Sequence, residues 1–266
     1  MTGSAGGFTR WLRARLERPE VRGIPHDDPR MTAIHGDIIR TRPFLRRLHL
    51  SHYRRISRAL HGTPAGPVVE LGSGGGFLAE VVPGVTTTDI VPAPGADGIM
   101  QAERIEAADG SLAGIVMLNV FHHLPDPAAF LREAVRALAP GGRIVMVEPA
   151  HTPLGALLYR RFSPEPYDSR AGWGFEAGGR LSAANVPLAW IVFVRDREKF
   201  HREIPGLRVR AVALHTAFLY ALSGGIWYRG PAPGWSFPLF SALERVLTPA
   251  MPLLAGSMTI VIEKAL

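Results

Sequence analysis

Cysteine is absent from the 266 residues. That excludes a disulfide framework, a thiolate metal site and a cysteine nucleophile, and it agrees with a reducing compartment. A long apolar run is absent too. The most apolar stretch, residues 246–262, is broken by Pro249, Pro252 and Gly256 and falls short of the roughly 20 apolar residues of a membrane helix; it reads as a short soluble element followed by a buried strand. Residues 1–10 are small and polar, without the apolar centre of a secretory signal, so no export signal is expected and a cytoplasmic location is the default. Lysine is missing from residues 1–60, which hold thirteen arginines against five acidic residues, a balance of +8 in a chain of net charge +7. Such a segment suits nucleic-acid phosphates or an anionic membrane surface, but with no aromatics interleaved in a nucleic-acid-reading pattern it reads first as a solvated face. Nucleic acid is therefore not the expected partner. Arg46, Arg47, Arg54 and Arg55, accompanied by Leu45, Leu48 and Tyr53, keep a peripheral contact with anionic membrane in view.

What is present is 47% apolar content, enough for one substantial core. From residue 8 to 60 the apolar residues recur at helical spacing, with Pro25, Pro29 and Pro43 as breaks. A breaker cluster at 61–67 ends that pattern. Short apolar runs at 68–71, 85–89, 99–100, 114–118 and 143–147 then read as strands covered on both faces. Between the fourth and fifth, residues 127–138 read as a helix: Asp126 suits its cap, Pro127 its first turn, and Pro140-Gly-Gly142 its end. Residues 150–194, rich in Pro, Gly and aromatics, are too long for an ordinary connection and read as a lid or substrate-binding element. A helix at 196–204 and strands at 207–214 and 258–264 complete the pattern. The expected fold is α/β: a doubly wound, mostly parallel seven-stranded sheet of Rossmann-like type. The expected organisation is a helical N-terminal cap (1–65), a ligand-binding core (66–149), a lid insertion (150–194) and a C-terminal part of the sheet with substrate-side loops (195–266).

The strand at 68–71 runs into Glu70-Leu-Gly-Ser-Gly-Gly-Gly76. Glycines there allow a sharp turn and let a ligand approach main-chain amides, which makes a nucleotide-like cofactor the natural occupant. The glycines at 72, 74 and 76 do not match the dinucleotide fingerprint, whose third glycine would fall at Phe77, and no lysine follows to make a P-loop. Asp89 ends the second strand, nineteen residues after Glu70, where its carboxylate would face the glycines and accept hydrogen bonds from two ribose hydroxyls.

These stretches, with Thr87-Thr-Asp-Ile90, the run from Ala107 through Asn119 to His123 and Leu124, and Leu138-Ala-Pro-Gly-Gly-Arg-Ile-Val-Met-Val-Glu-Pro149, resemble the class I S-adenosylmethionine-dependent methyltransferases over residues 67–149. The longer pattern, with Pro43-Phe-Leu-Arg-Arg47, residues 190–197 and Leu222-Ser-Gly-Gly225, also looks like a bacterial subgroup of methyltransferase-domain proteins with no assigned substrate. The resemblance implies that S-adenosyl-L-methionine is the cofactor. Its methionine part would lie on Gly72, Ser73, Gly74 and Gly76, helped by Glu70 and Asn119; its ribose would meet Asp89; its adenine would lie near Gln101 and Ala102. Gln101 departs from the family, where an aspartate commonly stands, and Glu106-Ala107 replaces the usual Pro-Phe.

Methyl transfer from a sulfonium needs chiefly alignment, plus removal of a proton from the acceptor. His123, then His122, are the candidates for that base, following the fourth strand where strand ends converge on a ligand. No metal is expected, because no third ligand is evident beside the pair. Glu148 and His151 stand second to them. Aromatics between Tyr159 and Phe237 would wall an apolar acceptor pocket. The expected function is methylation of a small apolar or amphipathic acceptor. RNA methylation, or cofactor binding without transfer, are the alternatives.

Overall fold

The computed structural model describes residues 3–266; Met1 and Thr2, at the head of the expected cap, lie outside the described residues. Three helices come first, α1 (Gly3–Leu16), α2 (Met31–Thr41) and α3 (Pro43–Ala59). Pro43 occupies the first turn of α3, where a missing N–H is harmless, and separates α3 from α2. Strands β1 (Val68–Glu70), β2 (Val85–Asp89), β3 (Gly98–Ile99), β4 (Leu112–Leu118), β5 (Leu138–Pro149), β6 (Leu207–His215) and β7 (Ser257–Lys264) form one sheet in the order β3-β2-β1-β4-β5-β7-β6. The first five pair in parallel and β7 runs antiparallel to both β5 and β6. This is the doubly wound, mostly parallel seven-stranded sheet that the apolar runs predict. β1 has β2 on one side and β4 on the other, so the winding reverses between β1 and β4 and opens a crevice at their carboxyl ends.

The remaining helices are α4 (Pro127–Ala137), α5 (Pro153–Phe162), α6 (Leu188–Trp190), α7 (Arg197–Glu203), α8 (Leu219–Ser223), α9 (Phe237–Val246) and α10 (Met251–Leu254). Asp126 caps α4 by accepting from the Ala129 amide at 3.0 Å. β5 is longer than the 143–147 segment expected from its apolar core. Pairing begins at Leu138 with Leu112, directly where α4 ends, and the register shifts before Arg143 pairs with Gly114. Residues 140–142 are thus carried inside the strand as an irregularity, not as a separate turn. α6 continues into a π-turn over Ile191–Arg195, which leads into α7.

Alternate residues of the central strands serve opposite faces, as the period of two requires. Ile115, Met117, Ile144 and Met146 pack with Phe130 and Leu131 of α4, Ile191 and Phe193 of the π-turn and Phe200 of α7. Val116, Val145 and Val147 pack on the other face with Phe44, Leu45, Leu48, Tyr53 and Ile56 of α3 and Ile38 of α2. Leu45, Leu48 and Tyr53 are therefore core residues. The peripheral membrane surface that paired them with arginines loses its apolar half, because a helix stripe of that width is spent on the sheet. Among the described residues no helix is long and apolar enough to cross a membrane.

After β1 the chain makes only a single 3-10 turn, Leu78–Glu80, before Pro83. α3 covers this face instead, and α2 crosses the glycine-rich loop, with Gly36 against Gly75. A Cβ on Gly75 would overlap the Gly36 backbone, whereas a Cβ on Gly36 would meet Gly75 Cα at 3.0 Å, a contact a small shift relieves. Gly75→Ala is expected to destabilise the protein by about 1–3 kcal/mol and Gly36→Ala by clearly less, as read from urea unfolding midpoints. Equal effects would mean that α2 does not sit on the loop.

Candidate functional site

β1 delivers Glu70 to the crevice and the chain turns at once, because Gly72 and Gly74 adopt φ of +69° and +53°, which side chains disfavour. The Ser73 amide donates to Thr88 O at 2.8 Å, tying the loop to β2. Asp89 does lie across the loop: its Oδ2 accepts from the Gly74 amide at 2.8 Å, and the carboxylate is almost fully buried. On its other side Arg180 approaches Oδ1 at 3.9 Å while donating to Thr32 Oγ1 at 2.7 Å.

Two buried atoms of this loop, Glu70 Oε2 and Ser73 Oγ, have no hydrogen-bond partner among the described residues. Such orphans are rare in folded chains and mark a place for a ligand group. Burial, assisted by the nearby Asp89 carboxylate, pushes the Glu70 carboxyl up to about 8. An acidic side chain poised in this way suits a ligand carrying positive charge. The residues present thus fit a nucleoside-type cofactor with a cationic amino-acid part.

At the end of β4, Asn119 takes a left-handed conformation, φ +56°, and stays exposed to the crevice. The short turn Phe121–His123 follows. It is anchored by Glu148, fully buried on β5, whose Oε1 accepts from the Val120 and Phe121 amides, both at 2.9 Å, and whose Oε2 is 2.6 Å from His122 Nδ1. His122 Nε2 lies 3.4 Å from Glu165 Oε2. Burial alone would lower the His122 pKa, but the Glu148 and Glu165 carboxylates outweigh it and hold the imidazole at about 10. His123 behaves oppositely: burial and the neighbouring His122 charge bring it down to about 4. Its Nδ1 donates to Ala183 O at 3.2 Å, which leaves the Nε2 lone pair facing Glu165 Oε1 at 3.8 Å. Burial disfavours the Glu165 carboxylate, yet His122 and His123 win and hold it near 2. Adjacent in sequence, the two histidines are therefore electrostatically unlike, and neither keeps the ordinary pKa of an imidazole.

One cavity of about 940 Å³ connects these groups, near the upper end of about 300–1,000 Å³ for small-molecule sites. Glu70, Gly72, Ser73, Gly74, Gly76, Asp89, Ala102, Asn119, His122 and His123 all line it. Gln101 does not; it is exposed in a tight bridge with Arg104, and Ile90, Met100 and Ala102 form that wall instead. The same cavity has an aromatic part, or chamber, lined by Leu158, Tyr159, Phe162, Tyr220, Trp227 and Tyr228. Other aromatics expected there are used elsewhere: Trp173 is in the core and donates to Asp196, Tyr167 bonds His151, and Trp235 is solvent-exposed. His151 lies against Trp190 with its ring tilted, centroids 4.0 Å apart, and Glu148 is a loop anchor.

Sequence reasoning missed Glu165, Arg180, His26 and His35, all in the cavity wall. Glu165 stands in Ser163-Pro-Glu-Pro166, where the prolines signal only a loop. It nonetheless supplies the third ligand-type group that seemed absent beside His122 and His123: one donor atom from each of the three lies within 4.8 Å of the others. Asp27 brings this loop region in, accepting from the Leu181 and Ser182 amides at 2.7 and 3.0 Å and from the Ser182 hydroxyl.

A glycine loop at the switch point of a doubly wound sheet, an acidic residue closing the second strand and a second, aromatic chamber beside it define a cofactor-dependent α/β transferase architecture. A family model described as a methyltransferase domain matches residues 44–181, just over half of the chain. The chain belongs to this family, within the class I S-adenosylmethionine-dependent methyltransferases. Ubiquinone biosynthesis O-methyltransferases of Xanthomonas oryzae pv. oryzae are 28% identical over 110 residues, 34% of this chain and 46% of theirs, so the chain spans about half the length of these curated relatives. A solved S-adenosylmethionine-dependent methyltransferase of Thermotoga maritima has the same fold, with TM-score 0.52 and 16% identity over 97% of this chain and 98% of that one. One from Archaeoglobus fulgidus gives TM-score 0.49 and 17% identity over 82% and 94%.

Glu148→Ala is expected to cost about 3–5 kcal/mol, since it strips a buried cation and two buried amides of their acceptor. Denaturant unfolding reads this, and a loss under about 1 kcal/mol would show that the anchor is dispensable.

Proposed function

We propose that the protein transfers the methyl group of S-adenosyl-L-methionine to a small, largely apolar acceptor bearing a hydroxyl, amine or carbon nucleophile. The observation that carries this reading is the continuity of one cavity from the glycine loop to the aromatic chamber. When bound, the cofactor supplies a methyl whose bond to sulfur breaks, the electron pair staying on sulfur, as the bond to the acceptor forms. Glu70, Ser73 and Asn119 hold its amino-acid part over Gly72, Gly74 and Gly76. Asp89 holds the ribose, and Ala102 with Ile90 and Met100 packs the base. The chamber walls exclude water and orient the acceptor's apolar body. His123, neutral and with its Nε2 lone pair toward the cavity, meets the acceptor's proton, while His122 positions Glu165 opposite it.

The largely apolar lining of the cavity favours a small molecule over RNA. Several N-terminal arginines are also occupied within the protein: Arg18 donates to Ser223 O and Gly225 O, Arg40 to Gly76 O, and Arg42 and Arg46 pair with Glu20 and Glu80.

Calorimetry is expected to give saturable binding of S-adenosylmethionine that Asp89→Ala and Gly74→Asp abolish or weaken at least about tenfold, the loss of one good charged hydrogen bond. Unchanged affinity in both variants would remove the cofactor from this loop.

Glu70 adds a pH dependence. Its raised pKa leaves it largely protonated near neutrality, whereas a cationic ligand favours the carboxylate, so binding releases a proton. Affinity should rise with pH from about 6 to 7.5, by up to about tenfold per unit, below the range of about 7.7–8.0 where an α-amino group itself titrates. Heats measured in buffers of different ionisation enthalpy count the proton; a flat profile with no proton release would place Glu70 outside the cofactor's reach.

A further inference from the structure

The turn after β4 and the coil after α5 bring three side chains together that the cofactor end of the cavity does not use. His123 donates through Nδ1 to a carbonyl, which can only accept, so its Nε2 carries a lone pair. That lone pair faces Glu165 Oε1 at 3.8 Å, too far for a hydrogen bond and with two acceptors opposed. His122 has its Nδ1 bound to the Glu148 carboxylate at 2.6 Å and turns Nε2 to Glu165 Oε2 at 3.4 Å. Each imidazole thus has its outer nitrogen tied to a protein oxygen and its inner nitrogen aimed at one carboxylate. Metal-binding histidines are held in this manner, with a carboxylate or carbonyl on the far nitrogen fixing ring and tautomer.

The spacing agrees. Ligands about 2.0–2.1 Å from a tetrahedral ion stand about 3.3 Å apart; His122 Nε2 is 3.4 Å from Glu165 Oε2, His123 Nε2 is 3.8 Å from Glu165 Oε1, and one donor atom from each of the three lies within 4.8 Å of the others, so side-chain adjustment closes the set around an ion. The side chains are only 3%, 16% and 17% exposed, so solvent does little to relieve the opposed acceptors. Two imidazoles with one carboxylate favour zinc and its first-row neighbours over magnesium or calcium, which prefer all-oxygen shells.

We propose that His122 Nε2, His123 Nε2 and the Glu165 carboxylate bind a divalent cation of the zinc class in the wall of the cavity, the His122 Nε2 proton leaving to solvent as the cation takes its place. Three protein ligands leave a position open to the cavity, which suits an oxygen of the acceptor. The acceptor class narrows to an apolar body carrying a phenolic, enolic or carboxylic oxygen. The cation lowers the pKa of that oxygen, and its proton passes to solvent before transfer, replacing the proton acceptance assigned above to His123. Only the identity of this fourth ligand rests on the methyltransferase reading; the cation site itself does not.

The test uses untagged full-length protein, stripped with chelator, then dialysed against Zn²⁺ and assayed for bound metal, with Co²⁺ titrated in parallel and followed by its visible absorption. One ion per chain and a Co²⁺ spectrum of low coordination number are expected. Loss of a supporting outer partner typically weakens metal sites about 10–100-fold, so His123→Ala and Glu165→Gln should each weaken binding at least about 100-fold. Calorimetry of S-adenosylmethionine on the same two variants should show cofactor affinity unchanged, which also verifies that they fold. Wild-type protein that retains no stoichiometric metal, or variants that keep the wild-type Co²⁺ spectrum, would overturn the site. Metal binding without cofactor binding would leave the site standing and sink the methyl-transfer reading. Cofactor binding without metal would sink only the cation.

Discussion

Val116, Val145 and Val147 are buried on one face of the sheet as completely as Ile115, Met117, Ile144 and Met146 are on the other, so both faces need apolar cover. In a doubly wound sheet the connection after β1 ordinarily contributes a helix to that cover. Here it is one 3-10 turn, and α3, which precedes β1 in the chain, packs where it is lacking. The consequences reach the site. With α3 on the sheet, α2 comes down on the glycine loop through the Gly36–Gly75 contact and carries Thr32 and His35 into the cavity wall. The end of α1 follows, and buried Arg18 clamps the carbonyls of Ser223 and Gly225 on the opposite wall. The N-terminal helices therefore build part of the pocket.

The acceptor end depends on a different interaction, the buried Glu148 carboxylate. A charge so deep is stable only when its oxygens are fully used, and here two amides and an imidazole use them. The turn after β4 is thereby held rigid. His122 O then accepts the Asn185 amide, and Asn185 braces Asp168 through its side chain, which shapes the coil that presents Glu165. One buried anion on β5 thus organises two histidines and a second carboxylate drawn from a distant part of the chain.

Much of this was legible before any coordinates. The order and placing of the strands, the α4 cap at Asp126, the glycine loop and Asp89 all follow from patterns that act over a few residues: apolar runs, capping, and the positive φ that glycine permits. Misjudged features share one trait. Gln101 faces away from the cavity, Leu45, Leu48 and Tyr53 face the core, and residues 140–142 lie inside β5, each because of what packs beside it and not because of its neighbours in sequence. The histidine pKa values fall in the same group, since burial and distant carboxylates set them.

By itself, the amino-acid order determined the class of fold and the cofactor loop, because hydrophobic period and backbone preference are local quantities. Only the tertiary structure decided that α3 covers the sheet, that the pKa values of His122 and His123 are shifted in opposite directions, and that Glu165 and Arg180 join the cavity. Those outcomes depend on long-range burial and on charges brought together from separate segments, for which no spacing along the chain carries a signal.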